Sequence, residues 1–268
     1  MRPIHLSSWY NGYVNQAAVV EKIRLMVPEP VARALGRLSI VLFILAMPTF
    51  LVTSNVRMAF DGLSLYRYGF ERYNVVVATG LDMGQLMTVA QDFIDYFNSS
   101  QELLDTRVVI GGEARALFNE GEILHMRDVK GLVRGVYRIQ EATGAYMVGY
   151  IIVVLLATRG KRSRAVVGRV MLGSLVTVGL LAFGGLASLV GFDQLFDQFH
   201  VLSFASGTWT FDPQYNYLTR LFTEGFFMQA TLFIAVSVMA QAALLVLAAW
   251  AVRKWALNRV AGHALHPQ

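Results

Sequence analysis

Five histidines stand in this sequence, His5, His125, His200, His263 and His266, and two of them lie among acids at helical spacing. His125 falls in "GEILHMRDVKGL", one helical turn after Glu122 and one before Asp128, so a single helix face can present all three. His200 closes "FDQLFDQFH", where Asp193, Asp197 and His200 repeat one residue behind Phe192, Phe196 and Phe199. A helix carrying both stripes presses the phenylalanines into lipid or protein and turns Asp193, Asp197 and His200 to a polar face. Imidazole, with an ordinary pKa near 6.5, both takes and gives a proton at neutral pH, and two of them can do both in one reaction. Acyl transfer from an ester to an amine asks for those two acts: the attacking ammonium loses a proton and the departing alkoxide gains one. A carboxylate one turn from a histidine can hold one ring nitrogen and leave the other for exchange. A joint relay needs the two rings in one pocket, within about 10 Å of each other.

Other chemistries have less support. Cysteine is absent, which removes thiol nucleophiles, disulfides and thiolate metal sites. There is no Gly-x-Ser-x-Gly elbow and no Ser-x-x-Lys, so Ser203 and Ser206 near His200 do not make a serine hydrolase. The pair His263 and His266 in "HALHP" supplies two ligands at most, and neither a metal nor a cofactor is expected.

What positions the two histidines is a membrane. The 268 residues are 55% hydrophobic and 15% charged, against about 25% charged in an ordinary soluble domain. The net charge of +5 sits in clusters beside apolar stretches, which fits lipid headgroups and not nucleic acid. A bilayer core needs about 20 apolar helical residues, and four stretches qualify: 38–56, 142–158, 170–192 and 225–252. Pro48 removes one backbone donor inside the first. In the third, Gly184 with Ser188 and Ala187 with Gly191 offer small residues for close helix approach. Lys and Arg gather in the segment 1–37, in the 159–169 link "RGKRSRAVVGR" and in the tail 253–268, whereas 193–224 has Arg220 against Asp193, Asp197, Asp212 and Glu224. The positive-inside bias therefore puts both termini and the 159–169 link in the cytoplasm, and leaves His125 and His200 as the two histidines outside. Trp209, Tyr215 and Tyr217 read as an interfacial aromatic belt.

The segment 57–141, between the first two spans, is long enough for a small α+β domain on the outer face. "LYRYGFERYNVVV" reads as strands. "MGQLMTVAQDFIDYFNSS", with Leu86, Val89, Phe93 and Phe97, reads as an amphipathic helix, and Gly111-Gly112 as a hairpin turn. "NEGEILHMRDVKGLVRGVYRIQ" reads as a helix with Ile123, Met126, Val129 and Val133 on one side. The fold class is thus an integral membrane protein, mainly α, with four transmembrane helices and a small α+β extracytoplasmic domain between helices 1 and 2.

"GEILHMRDVKGL", followed by "FDQFHVLSFASGTWTFDPQYNYLTRLFTEGFF", resembles the bacterial four-span membrane family that includes the lipoprotein intramolecular transacylases. The likeness covers about residues 39–252 and leaves the first 37 as an addition. It implies a multi-pass enzyme of the bacterial plasma membrane whose outward-facing site acts on diacylated lipoproteins amid membrane lipid. The family reaction moves an acyl chain from the sn-2 position of the diacylglyceryl group to the α-amine of the same lipoprotein's N-terminal cysteine. Its two essential histidines match His125 and His200, the pair that the charge distribution selects independently. Asp128, in the shared motif, is the candidate for orienting His125. Where the family has Leu-Phe-Phe after the second histidine motif, this chain has Leu-Ser-Phe, with Ser203 as the departure. By charge alone, Arg220 and Lys130 are candidate oxyanion partners, with a lipid-headgroup or surface role as the alternative.

The rival reading is a non-enzymatic scaffold or lipid- or lipoprotein-binding membrane protein in which both histidines are structural. A transporter has less support, since no charged residue or histidine interrupts any span; Gln229 and Gln241 are the nearest candidates, and hydrogen bonding between helices explains them as well.

Overall fold

Asn119 explains how the second long helix begins. Its side chain accepts from the Glu122 backbone N–H at 3.0 Å, while the Glu122 carboxylate accepts from the Asn119 N–H at 2.9 Å, so two backbone donors are satisfied reciprocally. A computed structural model of the chain describes residues 28–188, 191–204 and 209–264. It divides into two units, 1–43 and 44–268. Within the described part of the first unit, Ser39 Oγ donates to the Gly36 carbonyl at 3.0 Å.

The elements in chain order are α1 (Glu29–Asp61), α2 (Leu63–Arg72), α3 (Val75–Thr79), α4 (Met83–Asn98), β1 (Arg107–Ile110), β2 (Glu113–Ala116), α5 (Glu120–Ala157), α6 (Ser163–Ser188), α7 (Phe192–Ser203), α8 (Tyr217–Leu221) and α9 (Glu224–Ala264). Four helices, α1, α5, α6 and α9, are long and apolar enough to cross a membrane. The described residues are therefore mainly helical, with one small sheet. The polar stretch holding His125 and the apolar stretch 142–158 form a single helix of 38 residues, about 57 Å long at 1.5 Å per residue. His125 is thus rigidly joined to a span. The helix ends where Arg159 and Gly160 take positive φ of 48° and 74°.

The segment "LYRYGFERYNVVV" is helical, not the pair of strands its composition predicts. Tyr66, Gly69 and Phe70 are its buried residues in α2, a spacing of three and four, whereas Tyr68 stands 48% exposed. The aromatic residues thus bury with a helical period. Asn74, left-handed at φ 50°, breaks the chain before α3. The expected hairpin does form: β1 and β2 pair antiparallel, Ile110 opposite Glu113, around Gly111 and Gly112 at φ 63° and 86°. The expected amphipathic helix is α4, whose Leu86, Val89, Phe93 and Phe97 are buried in a core with Phe70, Val75, Met126, Val133, Leu218 and Leu221.

The long helices meet through small and polar residues. At Gly173 of α6 an added Cβ would lie 2.8 Å from Met47 Cβ of α1, so glycine permits that crossing, whereas at Gly184 the same Cβ has open space. Gly173 is thus a small-residue contact of α6 about three turns before Gly184. Asn55 of α1 and Gln241 of α9 exchange two side-chain hydrogen bonds, at 2.9 and 3.0 Å. Gln229 Oε1 accepts from Tyr68 Oη at 3.3 Å. Hydrogen bonding between helices therefore accounts for both span glutamines.

Candidate active site

His125 is carried on the first turns of α5 and His200 on the last turn of α7. Their ring centroids are 6.5 Å apart and their planes 20° from parallel, inside the limit set above for a shared relay. His125 is 9% exposed. His200 Nδ1 lies 2.7 Å from the Phe196 carbonyl, one turn back on its own helix. A carbonyl only accepts, so Nδ1 carries the hydrogen and Nε2 is the nitrogen left to exchange a proton.

Aromatic rings enclose the pair. Phe204 touches both imidazoles, 4.8 Å from His125 and 5.5 Å from His200. Phe211 lies 5.4 Å from His125, while Phe196, Trp209 and Phe199 lie 4.2, 5.0 and 5.4 Å from His200. Asp193 and Asp197 are exposed and His200, seven and three residues after them on the same helix, is half-buried, with its ring edge reaching Phe196 one turn back. The walls around the two imidazoles are thus largely apolar.

The acids near His125 divide. Glu122 is 1% exposed and both its oxygens accept from backbone: Oε2 from Asn119 N–H and Oε1 from Leu218 N–H at 2.8 Å. It therefore serves the helix start and α8. Asp128, half-buried one turn beyond His125, has its carboxylate 3.7 Å from Arg127 Nε.

The two cations read as oxyanion partners are engaged in holding backbone. Lys130 Nζ donates to the Gln101 carbonyl and lies 4.0 Å from the Tyr96 ring centre. Arg220 donates to the Pro213 carbonyl at 2.6 Å and to that of Gln214, and its guanidinium lies over Tyr217 at 5.0 Å. Ser203 is half-buried at the end of α7. His263 falls on α9, and His5, Ser206 and His266 lie outside the described residues. Among the described residues, no three of His, Cys, Asp or Glu gather as a metal site.

Phe196, Phe204, Trp209 and Phe211 were not among the sequence candidates. Their signal was position: all four flank His200 within a dozen residues, and Phe204, Trp209 and Phe211 lie in the segment that carries the family resemblance. Trp209, read as part of an interfacial belt, packs on His200, while Tyr215 is 75% exposed.

The family model described as lipoprotein intramolecular transacylase Lit matches residues 40–227. No curated protein sequence matches the chain. Among solved structures, the chain is similar to the membrane integral lipoprotein intramolecular transacylase Lit from Bacillus cereus. A histidine-to-arginine variant of that protein aligns with a TM-score of 0.68 at 18% identity, over 85% of this chain and 96% of that one. A second structure aligns at 0.67 and 18% identity, over 84% and 97%.

Proposed function

Because the chain belongs to the lipoprotein intramolecular transacylase family, we propose that it moves an acyl chain within a diacylated lipoprotein, from the sn-2 oxygen of the diacylglyceryl group to the α-amine of the N-terminal cysteine. The α-nitrogen attacks the ester carbonyl, an N–C bond forms, the C–O bond breaks, and the glycerol oxygen leaves as a hydroxyl. One imidazole takes the proton from the nitrogen and the other returns one to the oxygen. The reaction is an isomerisation, balanced without a co-reactant. His200, with Nε2 left for exchange, and His125 are the proposed pair, and Asp128 is proposed to orient His125.

The single observation that carries this reading is the 6.5 Å approach of two imidazoles inside an aromatic enclosure. Donor and acceptor belong to one substrate, so the enzyme folds a headgroup back on itself, and intramolecular placement supplies an effective molarity of about 10⁵ M or more. A positioned base adds roughly 10²- to 10⁴-fold. The aromatic walls keep water, the competing nucleophile, from the ester. The basic link 159–169 supports a cytoplasmic placement for that end of the helices and for both termini, with the histidines at the outer leaflet of a bacterial plasma membrane.

Expression in a bacterium making diacylated lipoproteins, with mass spectrometry of the N-terminal peptide, tests the reading. Wild type is expected to transfer the chain to the cysteine nitrogen, and His125→Ala and His200→Ala to leave it on the glycerol. Transfer retained in either variant removes that histidine from the mechanism; no transfer by folded wild type favours a lipoprotein-binding scaffold.

A further inference from the structure

Glu122 does more than begin a helix. The capping box with Asn119 uses only Oε2. Oε1 accepts from the N–H of Leu218, 96 residues away, in a buried bond of 2.8 Å. A carboxylate 1% exposed has given up nearly all its hydration, and its desolvation is offset only while such charge-assisted bonds hold.

The segment fastened by that bond is internally braced. Asp212 N–H donates to Asn216 Oδ1 at 3.1 Å and Gln214 N–H to Asp212 Oδ1 at 2.8 Å. Arg220 ties back to the Pro213 and Gln214 carbonyls. Leu218 and Leu221 are buried in the core alongside Met126 and Val133 of α5. The segment 211–221 is therefore held together as a piece. At its leading edge Phe211 packs on His125, and two residues earlier Trp209 packs on His200.

We infer that Glu122 is a positioning residue: through Leu218 it latches the 209–221 strap against the His125 helix and so sets the aromatic wall on both imidazoles. This deepens the proposed transacylase reading and rests on it for its effect on rate. The latch itself is a statement about structure and is tested separately.

Two variants break it differently. Glu122→Gln keeps size and one acceptor but sets an NH₂ group against a backbone N–H. Leu218→Pro removes the donor and leaves Asn119 and Glu122 intact; proline is tolerated in the first turn of a helix, where Leu218 lies. With Trp9, Trp250 and Trp255 changed to Phe, Trp209 becomes the sole tryptophan and reports the strap. Each variant is expected to shift Trp209 emission to the red, to increase its quenching by acrylamide, and to lower kcat by up to about 10²-fold, the loss that a displacement near 1 Å can cause. KM is expected to hold, and the double variant to be no worse than the worse single one, because one bond is being broken twice. Unchanged Trp209 emission in Leu218→Pro, which lacks the donor whichever way the new amide turns, overturns the latch, as do additive losses in the double variant. If wild type transfers no acyl chain, the functional reading fails while the Trp209 measurement still decides the latch.

Discussion

The imidazoles of His125 and His200 lie 6.5 Å apart, nearly parallel, with the Phe204 ring against both. Groups this close act as a unit, so their losses should not add. His125→Ala and His200→Ala are each expected to lower the single-turnover rate by about 10²- to 10⁴-fold, and the double variant to be little worse than the worse single one. Rates measured by mass spectrometry decide it; a double variant showing the product of the two losses would mean the histidines serve separate steps.

Much of this site was legible in the sequence, for identifiable reasons. Chemistry needs particular residue types, and charge asymmetry across the spans separates His125 and His200 from His5, His263 and His266. The four long helices were legible too, since apolar length is demanded by the membrane itself. What failed was tertiary. Tyr66 and Phe70 looked like strand residues by type, yet they bury at helical spacing. Glu122 and Asp128 were equivalent by spacing around His125, and only the return of Leu218 from 96 residues away shows that Glu122 is committed elsewhere. His200 sat one turn from both Phe196 and Asp197, and sequence cannot say which face a short helix turns inward. Trp209 read as an interfacial aromatic, and Phe204 and Phe211 stood in the quoted motif segment without a role of their own.

Asn55 and Gln241 offer a test of the helix bundle. Each side chain donates to and accepts from the other, and Asn55 Nδ2 also donates to the Leu51 carbonyl at 2.8 Å. Single changes to leucine strand the partner amide in an apolar setting, while the double change Asn55→Leu with Gln241→Leu strands neither. A double-mutant cycle on unfolding in mixed micelles is expected to give a coupling of about 0.6 to 1.7 kcal/mol, the range for hydrogen bonds between membrane helices. Zero coupling would show that the amides do not bond in the folded protein.

Asp82 gives the helix α4 an acid-sensitive start. Its carboxylate accepts from the Gln85 N–H at 2.9 Å, and that backbone bond, ahead of the Gln85 side chain and Gly84, holds its pKa below the usual carboxylate value. With the folded pKa below the unfolded one, the stabilisation is fully present above the unfolded value near 3.9 and is lost as pH falls through the folded one. Asp82→Ser keeps a capping oxygen without the titration. Hydrogen exchange of the Met83–Asn98 amides is therefore expected to quicken below about pH 4 in wild type more than in Asp82→Ser. Equal pH dependence in the two would assign acid lability to other carboxylates.

Phe204 offers a test of whether the aromatic enclosure keeps water from the proposed ester. It is 9% exposed, immediately follows α7, and covers both imidazoles. Water and the α-amine compete for one carbonyl, and an amine wins by being held in place, since water at about 55 M is otherwise in large excess over an effective amine concentration that falls with every lost constraint. Removing the ring should therefore do more than slow the reaction; it should change the product. Phe204→Ala is expected to release free fatty acid alongside the N-acylated peptide, whereas Phe204→Leu, which restores an apolar cover, should return the product ratio toward wild type. Quantifying fatty acid against N-acyl cysteine in one assay separates this from simple loss of fold, which lowers both together. A Phe204→Ala enzyme that is slower but yields only the N-acyl product would show that the enclosure positions the substrate without excluding water.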